Sequence, residues 1–253
     1  MPRHFTHYYF SNLLTKDTSY ALSAIINLYP DAYLLGSLGA ECLTGSEHAE
    51  RFRSADPVQV FGVTARHIFR NGSKCQLSYM LGFLVHYALD RVLIPYEEYF
   101  AANGVVGYFG GEAETQSVHD IEVGIDRHIV RDYLGQEKAL ELVDHLSIRK
   151  PVLEEICTLY VDVLNDLADV CLSYRKTYSL LESVKLDIPL SEGLGRLDYM
   201  NRENREWKGP KGETLSLSVD ELFKEQREVV YDLMEEYMAM ARSNKSTPEE
   251  KFY

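Results

Sequence analysis

Residues 81–90 read LGFLVHYALD, the middle of a longer stretch, Ser73–Leu93 (SKCQLSYMLGFLVHYALDRVL), that is apolar on nearly every side. A helix that is hydrophobic all round belongs in the centre of a fold rather than at its surface. The interior of this one nevertheless holds His86 and Asp90. Four residues apart, they share a helix face and point at one spot. An ionised aspartate inside a buried helix costs several kcal/mol unless it is paired or bound to a metal. The pair has two readings: His86 and Asp90 satisfy each other or a neighbouring helix end, or they ligate a metal ion.

The flanking sequence is also helical in its spacing. Ser19–Tyr33 (SYALSAIINLYPDAY) places Leu22, Ile25, Ile26 and Tyr29 at i, i+3, i+4 and i+7, and the pattern stops near Pro30. Asp56–Phe69 opens with Asp-Pro, an N-cap followed by proline at the first helical position. Ser117–Tyr133 is helical up to Gly135. Val152–Leu181 reads as one long amphipathic helix, and Ser218–Asp220 caps a last helix, Glu221–Arg242. Between them, Ala101–Glu114 is glycine-rich with Tyr108 and Phe109 and predicts a mobile loop, while Ile188–Gly212 is irregular. Alternating strand patterns are nearly absent. The expected fold is all-α, with one multi-helix domain over residues 1–242 and a polar, disordered tail over 243–253.

Composition narrows the function classes. The 253 residues carry a formal charge of −13, from 26 Lys+Arg against 39 Asp+Glu. That argues against a nucleic-acid binder, which needs a basic face, and against electrostatic docking on anionic lipid. Four cysteines (Cys42, Cys75, Cys157, Cys171) are dispersed, without a CxxC pair, as in a reduced protein. The opening MPRHFTHYYF lacks the apolar core of a signal peptide, and no run of ~18 consecutive apolar residues is present. The expectation is a cytoplasmic protein without stable membrane insertion.

Further residues strengthen the metal reading. His67 sits near the end of the helix before the central one, Glu41 follows the turn Gly36–Gly39, and His7 lies in an aromatic N-terminal stretch. One His or carboxylate from each of several helices is how helical bundles build metal sites. Histidine nitrogen with carboxylate oxygen, without cysteine, suits Zn²⁺ or a similar borderline ion.

These elements together resemble the zinc-dependent phospholipase C family. MPRHFTHYYF is similar to the MP-x-x-(Y/F)-T-H-Y opening of intracellular members. GSLGAE (36–41) resembles the G-x-x-G-P-D element, GVTARH (62–67) the G-x-x-x-H element and LGFLVHYALD the central H-x-x-x-D helix. IEVGIDRHI (121–129) resembles the E-x-x-x-D helix, and NREWKGPKGETLSLSVDEL (204–222) the N-x-x-W-x-x-P-x-x-G…S-x-D-E-L segment. They occur in family order across residues 1–222. The resemblance implies a helical bundle holding up to three zinc ions. One ion would be held by Glu41, His67, His86 and Asp90, with Glu41 replacing the family's Asp. A second would use His7 and share Asp90. The third is depleted: Ile94 and Val118 stand where the family has histidines, leaving Glu122, with His119 as a substitute one residue away. One or two zinc ions are therefore expected. Asp126 matches a family Asp and is expected to orient a ligand-supporting group. His4, His48, His128 and His145 fall outside the matched positions and are expected at or near the surface. Asp31, after Pro30, reads as a cap or turn residue.

The resemblance implies a phosphoric-ester hydrolase, in which zinc lowers the pKa of a water that attacks phosphorus and Glu41 serves as catalytic base. An alternative is a degenerate member that keeps a structural or ligand-binding metal without turnover, and another is an interaction module with a purely structural His/Asp pair. A small soluble phosphoester, or a lipid delivered one molecule at a time, is the expected substrate class. Nothing in the residues specifies an oligomeric state.

Overall fold

The computed structural model describes residues 4–39, 51, 54–145, 148–184, 186 and 196–243. Most of these are helical: α1 (His4–Thr15), α2 (Tyr20–Leu28), α3 (Pro30–Ser37), α4 (Pro57–Asn71), α5 (Lys74–Asn103), α6 (Val118–Ile129), α7 (Gln136–His145), α8 (Lys150–Leu159), α9 (Tyr174–Glu182) and α10 (Val219–Ser243). Two short strands, β1 (Trp207–Lys208) and β2 (Thr214–Leu215), pair antiparallel with Trp207 opposite Leu215. The all-α expectation holds. The chain forms two compact units: Met1–Phe10, Tyr87–Leu146 and Leu186–Glu228 in one, Ser11–His86, Ser147–Lys185 and Val229–Tyr253 in the other. Helices α1, α5 and α10 contribute residues to both.

In the unit containing Ser11–His86, α3 and α5 meet backbone to backbone. A Cβ on Gly36 would lie 2.0 Å from the Tyr79 carbonyl oxygen, and one on Gly82 would lie 2.0 Å from that of Tyr33. Only glycine permits so close a crossing. Polar side chains buried beside it are satisfied locally. Ser78 donates to the Tyr29 carbonyl at 2.9 Å, and the Tyr79 and Tyr160 hydroxyls share a 2.6 Å hydrogen bond. Helix α4 begins as the sequence predicts, with Asp56 accepting from Val58 N and Pro57 at its first position. It ends at Gly72, whose φ of 67° is left-handed. Asp31 does more than terminate a turn. Its carboxylate accepts from the Arg149 backbone N–H at 3.0 Å and from the guanidinium at 2.6 and 2.9 Å, tying α3 to the start of α8. Cys75 and Cys157 are buried thiols, each pushed up to about 12 by burial.

Two helix expectations are corrected. The predicted Val152–Leu181 helix breaks. After α8 comes a π-helical turn, Tyr160–Leu164, then a last turn, Asn165–Leu167, before α9 restarts. The break is made by Asp169, at φ 50°, and by Asn165, whose side-chain amide donates to the Leu172 carbonyl at 2.9 Å. Ser173 caps α9 by accepting from Lys176 N. Conversely, α5 does not stop at Leu93 but runs through Pro95 to Asn103. A proline inside a helix costs about 3 kcal/mol. Continuation is favoured because Leu93, Tyr96 and Phe100, one apolar face, are 0%, 1% and 6% exposed. The apolar part of α5 is also long enough to cross a membrane, but 78% of that window is buried inside the protein.

The unit containing Tyr87–Leu146 is built on that extended end of α5. Trp207 packs edge-on against Tyr96, ring centroids 5.3 Å apart, and its indole N–H donates to the Leu217 carbonyl at 3.0 Å. Tyr96 donates to the Tyr199 carbonyl at 2.8 Å. Ser117 and Asp120 form the capping box of α6, and Ser218 and Glu221 cap α10 in the same way. The glycine-rich loop expected to be mobile is closed by backbone hydrogen bonds between Val105 and Glu114, and Tyr108 N donates to the Arg196 carbonyl. Its tip carries Phe109, fully exposed.

His4 and His128, expected near the surface, are buried at 6% and 0% exposure. His128 lies among charged groups on its own helix end and on the loop facing it. Arg131 donates to its Nδ1 at 2.7 Å, so Nε2 carries the proton and faces the Tyr108 hydroxyl at 2.9 Å. Arg131 also pairs with Asp132, which Arg202 reaches at 2.8 Å, and these hydrogen bonds hold the Asp132 carboxyl well below the usual carboxylate range. Burial, with Arg131 second, lowers His128 from 6.5 to about 4. A histidine whose folded pKa is depressed binds its proton more readily when unfolded, so its contribution is complete above the unfolded value and shrinks as pH falls. Wild-type protein is therefore expected to lose melting temperature between about pH 6.5 and 4 more steeply than His128→Asn. Parallel Tm-against-pH curves for the two proteins would contradict this.

Candidate metal centre

The central helix delivers the pair that the sequence singled out. His86 and Asp90 lie one turn apart on α5, 4% and 8% exposed, and His7 of α1 is 2% exposed. His7 Nε2 is 3.1 Å from Asp90 Oδ1. One ligand atom from each of the three lies within 4.8 Å of the others. Tetrahedral zinc with bonds of ~2.0–2.1 Å separates neighbouring ligand atoms by ~3.4 Å, so the His7–Asp90 contact is already near the spacing of two ligands on one ion. Two imidazoles and one carboxylate match the donor set of catalytic zinc, which takes three protein ligands and leaves a further position open. The chemistry of the donors and their burial therefore fit zinc.

The surroundings hold two of these side chains in place. Gly39, at the end of the G-x-x-G turn, has φ 63°, and a Cβ there would lie 2.2 Å from His86 Cδ2 and 2.3 Å from Nε2. The turn backbone thus forms a wall against the His86 ring that no other residue could form. Asp126 of α6, 1% exposed, accepts from Thr6 N at 2.8 Å, Phe5 N at 3.3 Å and the Thr6 hydroxyl. Those amides are in the first turn of α1, immediately before His7.

The other sequence candidates are placed differently. Glu41, assigned the role of base and ligand, lies outside the described residues. His67 of α4 is half-buried but is not among the three residues that cluster; its Nε2 accepts from Asn71, one turn along, at 2.9 Å. His119 and Glu122 face each other on α6 with Nδ1 and Oε2 4.0 Å apart, the histidine 63% and the glutamate 15% exposed by side chain. Val118 is exposed and Ile94 half-buried. With His119 exposed and Glu122 half-buried, this pair is less enclosed than the buried triad. The support given to His86 by Gly39 was not read from the sequence; its signal was the glycine spacing in GSLGAE.

Gly39 and Gly72 offer a matched test, since both have left-handed φ but only Gly39 faces a side chain, Gly72 having nothing within 4 Å of its added Cβ. Gly39→Ala is expected to destabilise by about 2 kcal/mol more than Gly72→Ala, the overpacking cost being added to a shared backbone cost. Urea denaturation of the two variants measures the difference, and equal losses would show that Gly39 does not press on His86.

No family model, curated protein or solved structure matches this chain.

Proposed function

We propose that the chain is a metal-dependent phosphoric-ester hydrolase of the zinc-dependent phospholipase C type, acting on a small phosphoester or on a lipid presented one molecule at a time. The observation that supports it is the buried His7–His86–Asp90 group in a helical core. When bound, zinc supplies Lewis acidity, a lowered pKa for water and charge neutralisation at the phosphoryl oxygens. His86 and His7 would hold the ion through ring nitrogens. Asp90, with two carboxylate oxygens, is the residue able to serve two ions. In a two-ion site Glu41 and His67 would join His86 and Asp90, and His67 would have to leave its hydrogen bond with Asn71 to do so. Glu41 is proposed as the base that takes the proton of the attacking water. The formal charge of −13 disfavours polyanionic partners and intact anionic membranes, which favours small substrates.

A second reading is favoured by one feature: Ile94 and Val118 replace two of the histidines that the resemblance calls for, and His119 and Glu122 do not make up the loss. On that reading the chain keeps one metal that binds helices together, without turnover.

Metal content measured on purified protein, together with hydrolysis of a chromogenic phosphodiester, separates the readings. The hydrolase reading expects one to two zinc ions per chain, turnover abolished by chelation, and His86→Ala reduced to background with loss of metal. About one ion per chain with no turnover, and a Tm that falls on chelation, supports the structural-metal reading. Metal-free protein whose Tm is indifferent to chelators contradicts both.

A further inference from the structure

We infer that Asp126 is a positioning residue for the metal centre: through the first turn of α1 it sets His7 against Asp90. This rests on the reading of His7, His86 and Asp90 as a metal site. The first amides of any helix have no partner within it, and α1 has no acidic residue in its own first turn to accept from them. Asp126 supplies that acceptor from α6, more than a hundred residues away. Its carboxylate receives the N–H groups of Phe5 and Thr6 and the Thr6 hydroxyl, three donors on one buried anion. A negative charge at a helix N-terminus is also favoured by the helix dipole.

The geometry makes this anchor specific to His7. Successive residues on a helix are about 100° apart around its axis. A carboxylate that fixes the amides of residues 5 and 6 therefore fixes the direction in which residue 7 projects. In the structure that direction brings Nε2 to 3.1 Å from Asp90 Oδ1. The anchor is itself rigid: Ile121, Ile125 and Ile129, on the same helix, are fully buried, and the capping box of Ser117 and Asp120 fixes the helix start. Asp126→Asn would place an amide N–H₂ where donors now converge, releasing the first turn of α1 while leaving all three ligand side chains in the chain. Outer groups that orient metal ligands typically change affinity by about 10–100-fold.

The test is a cycle of four proteins: wild type, Asp126→Asn, His7→Ala and the double variant. Zn²⁺ affinity is measured by competition with a chromophoric chelator, and circular dichroism in chelator confirms that each is folded at the assay temperature. If Asp126 acts through His7, Asp126→Asn weakens zinc about tenfold or more in the wild-type background and has no further effect once His7 is alanine. A merely structural role would lower affinity equally in both backgrounds. That result, or no loss on Asp126→Asn, overturns the inference while leaving the metal centre standing. Absence of zinc binding by wild-type protein overturns both. Should Asp126→Asn not fold, Thr6→Val removes only the hydroxyl donor and carries the same cycle, with a smaller loss expected in the wild-type background and none with His7→Ala.

Discussion

A carboxylate buried in the middle of the long helix α5 has to be satisfied, and Asp90 Oδ1 lies 3.1 Å from His7 Nε2. Desolvation of that carboxylate costs several kcal/mol, so the fold is committed to bringing a donor to it. The donor comes from α1, 83 residues earlier in the chain, and α1 therefore has to dock with its histidine at one rotation. His86, a turn before Asp90, adds a second imidazole to the same spot. A site of this kind is expensive as a structural element, since an apolar pair of the same shape would serve packing better.

The support around the site follows from this constraint. Gly36 and Gly82 allow α3 and α5 to touch through their backbones, and the turn that follows α3 then reaches the His86 ring at Gly39, where a side chain is excluded. Asp126 performs the corresponding task for α1, accepting its leading amides. Gly39 borders the His86 ring directly, while Asp126 acts on His7 through backbone amides of α1. They leave the ring nitrogens and the carboxylate to face one another, which is the condition for a preorganised cation site.

The sequence made the centre of the fold legible because the signal there is dense. An apolar run with two polar residues at helical spacing allows one secondary structure and one environment, and α5 is that helix. The start of α4 was equally readable, since Asp56-Pro57 carries its own capping chemistry. What the sequence hid is non-local. The apolar stretch reads as ending at Leu93, yet Tyr96 and Phe100 bury against Trp207 and neighbouring side chains and carry the helix onward through Pro95. Val152–Leu181 reads as one helix, yet Asn165 and Asp169 turn the chain through side-chain and left-handed geometry that periodicity does not register. His128 lies within IEVGIDRHI but outside its matched positions, and its surroundings include Arg131 and Tyr108 of the glycine-rich loop. For the site, His86 and Asp90 were visible as a pair and His7 as a lone histidine in an aromatic stretch. The contact between His7 and Asp90, and the hold of Asp126 on residues 5 and 6, join positions 83 and about 120 residues apart and emerge only once the helices are packed.

The metal centre is proposed on His7, His86 and Asp90, whose ligand atoms lie within 4.8 Å of one another. Anomalous scattering at the zinc edge from crystals of zinc-loaded protein tests it most directly. The account predicts an anomalous peak within bonding distance of a ring nitrogen of His86 and a carboxylate oxygen of Asp90, with a ring nitrogen of His7 bonded to the same ion or to a second ion that shares Asp90. Fully loaded crystals with no peak there, or with zinc only at surface histidines such as His119, would contradict it.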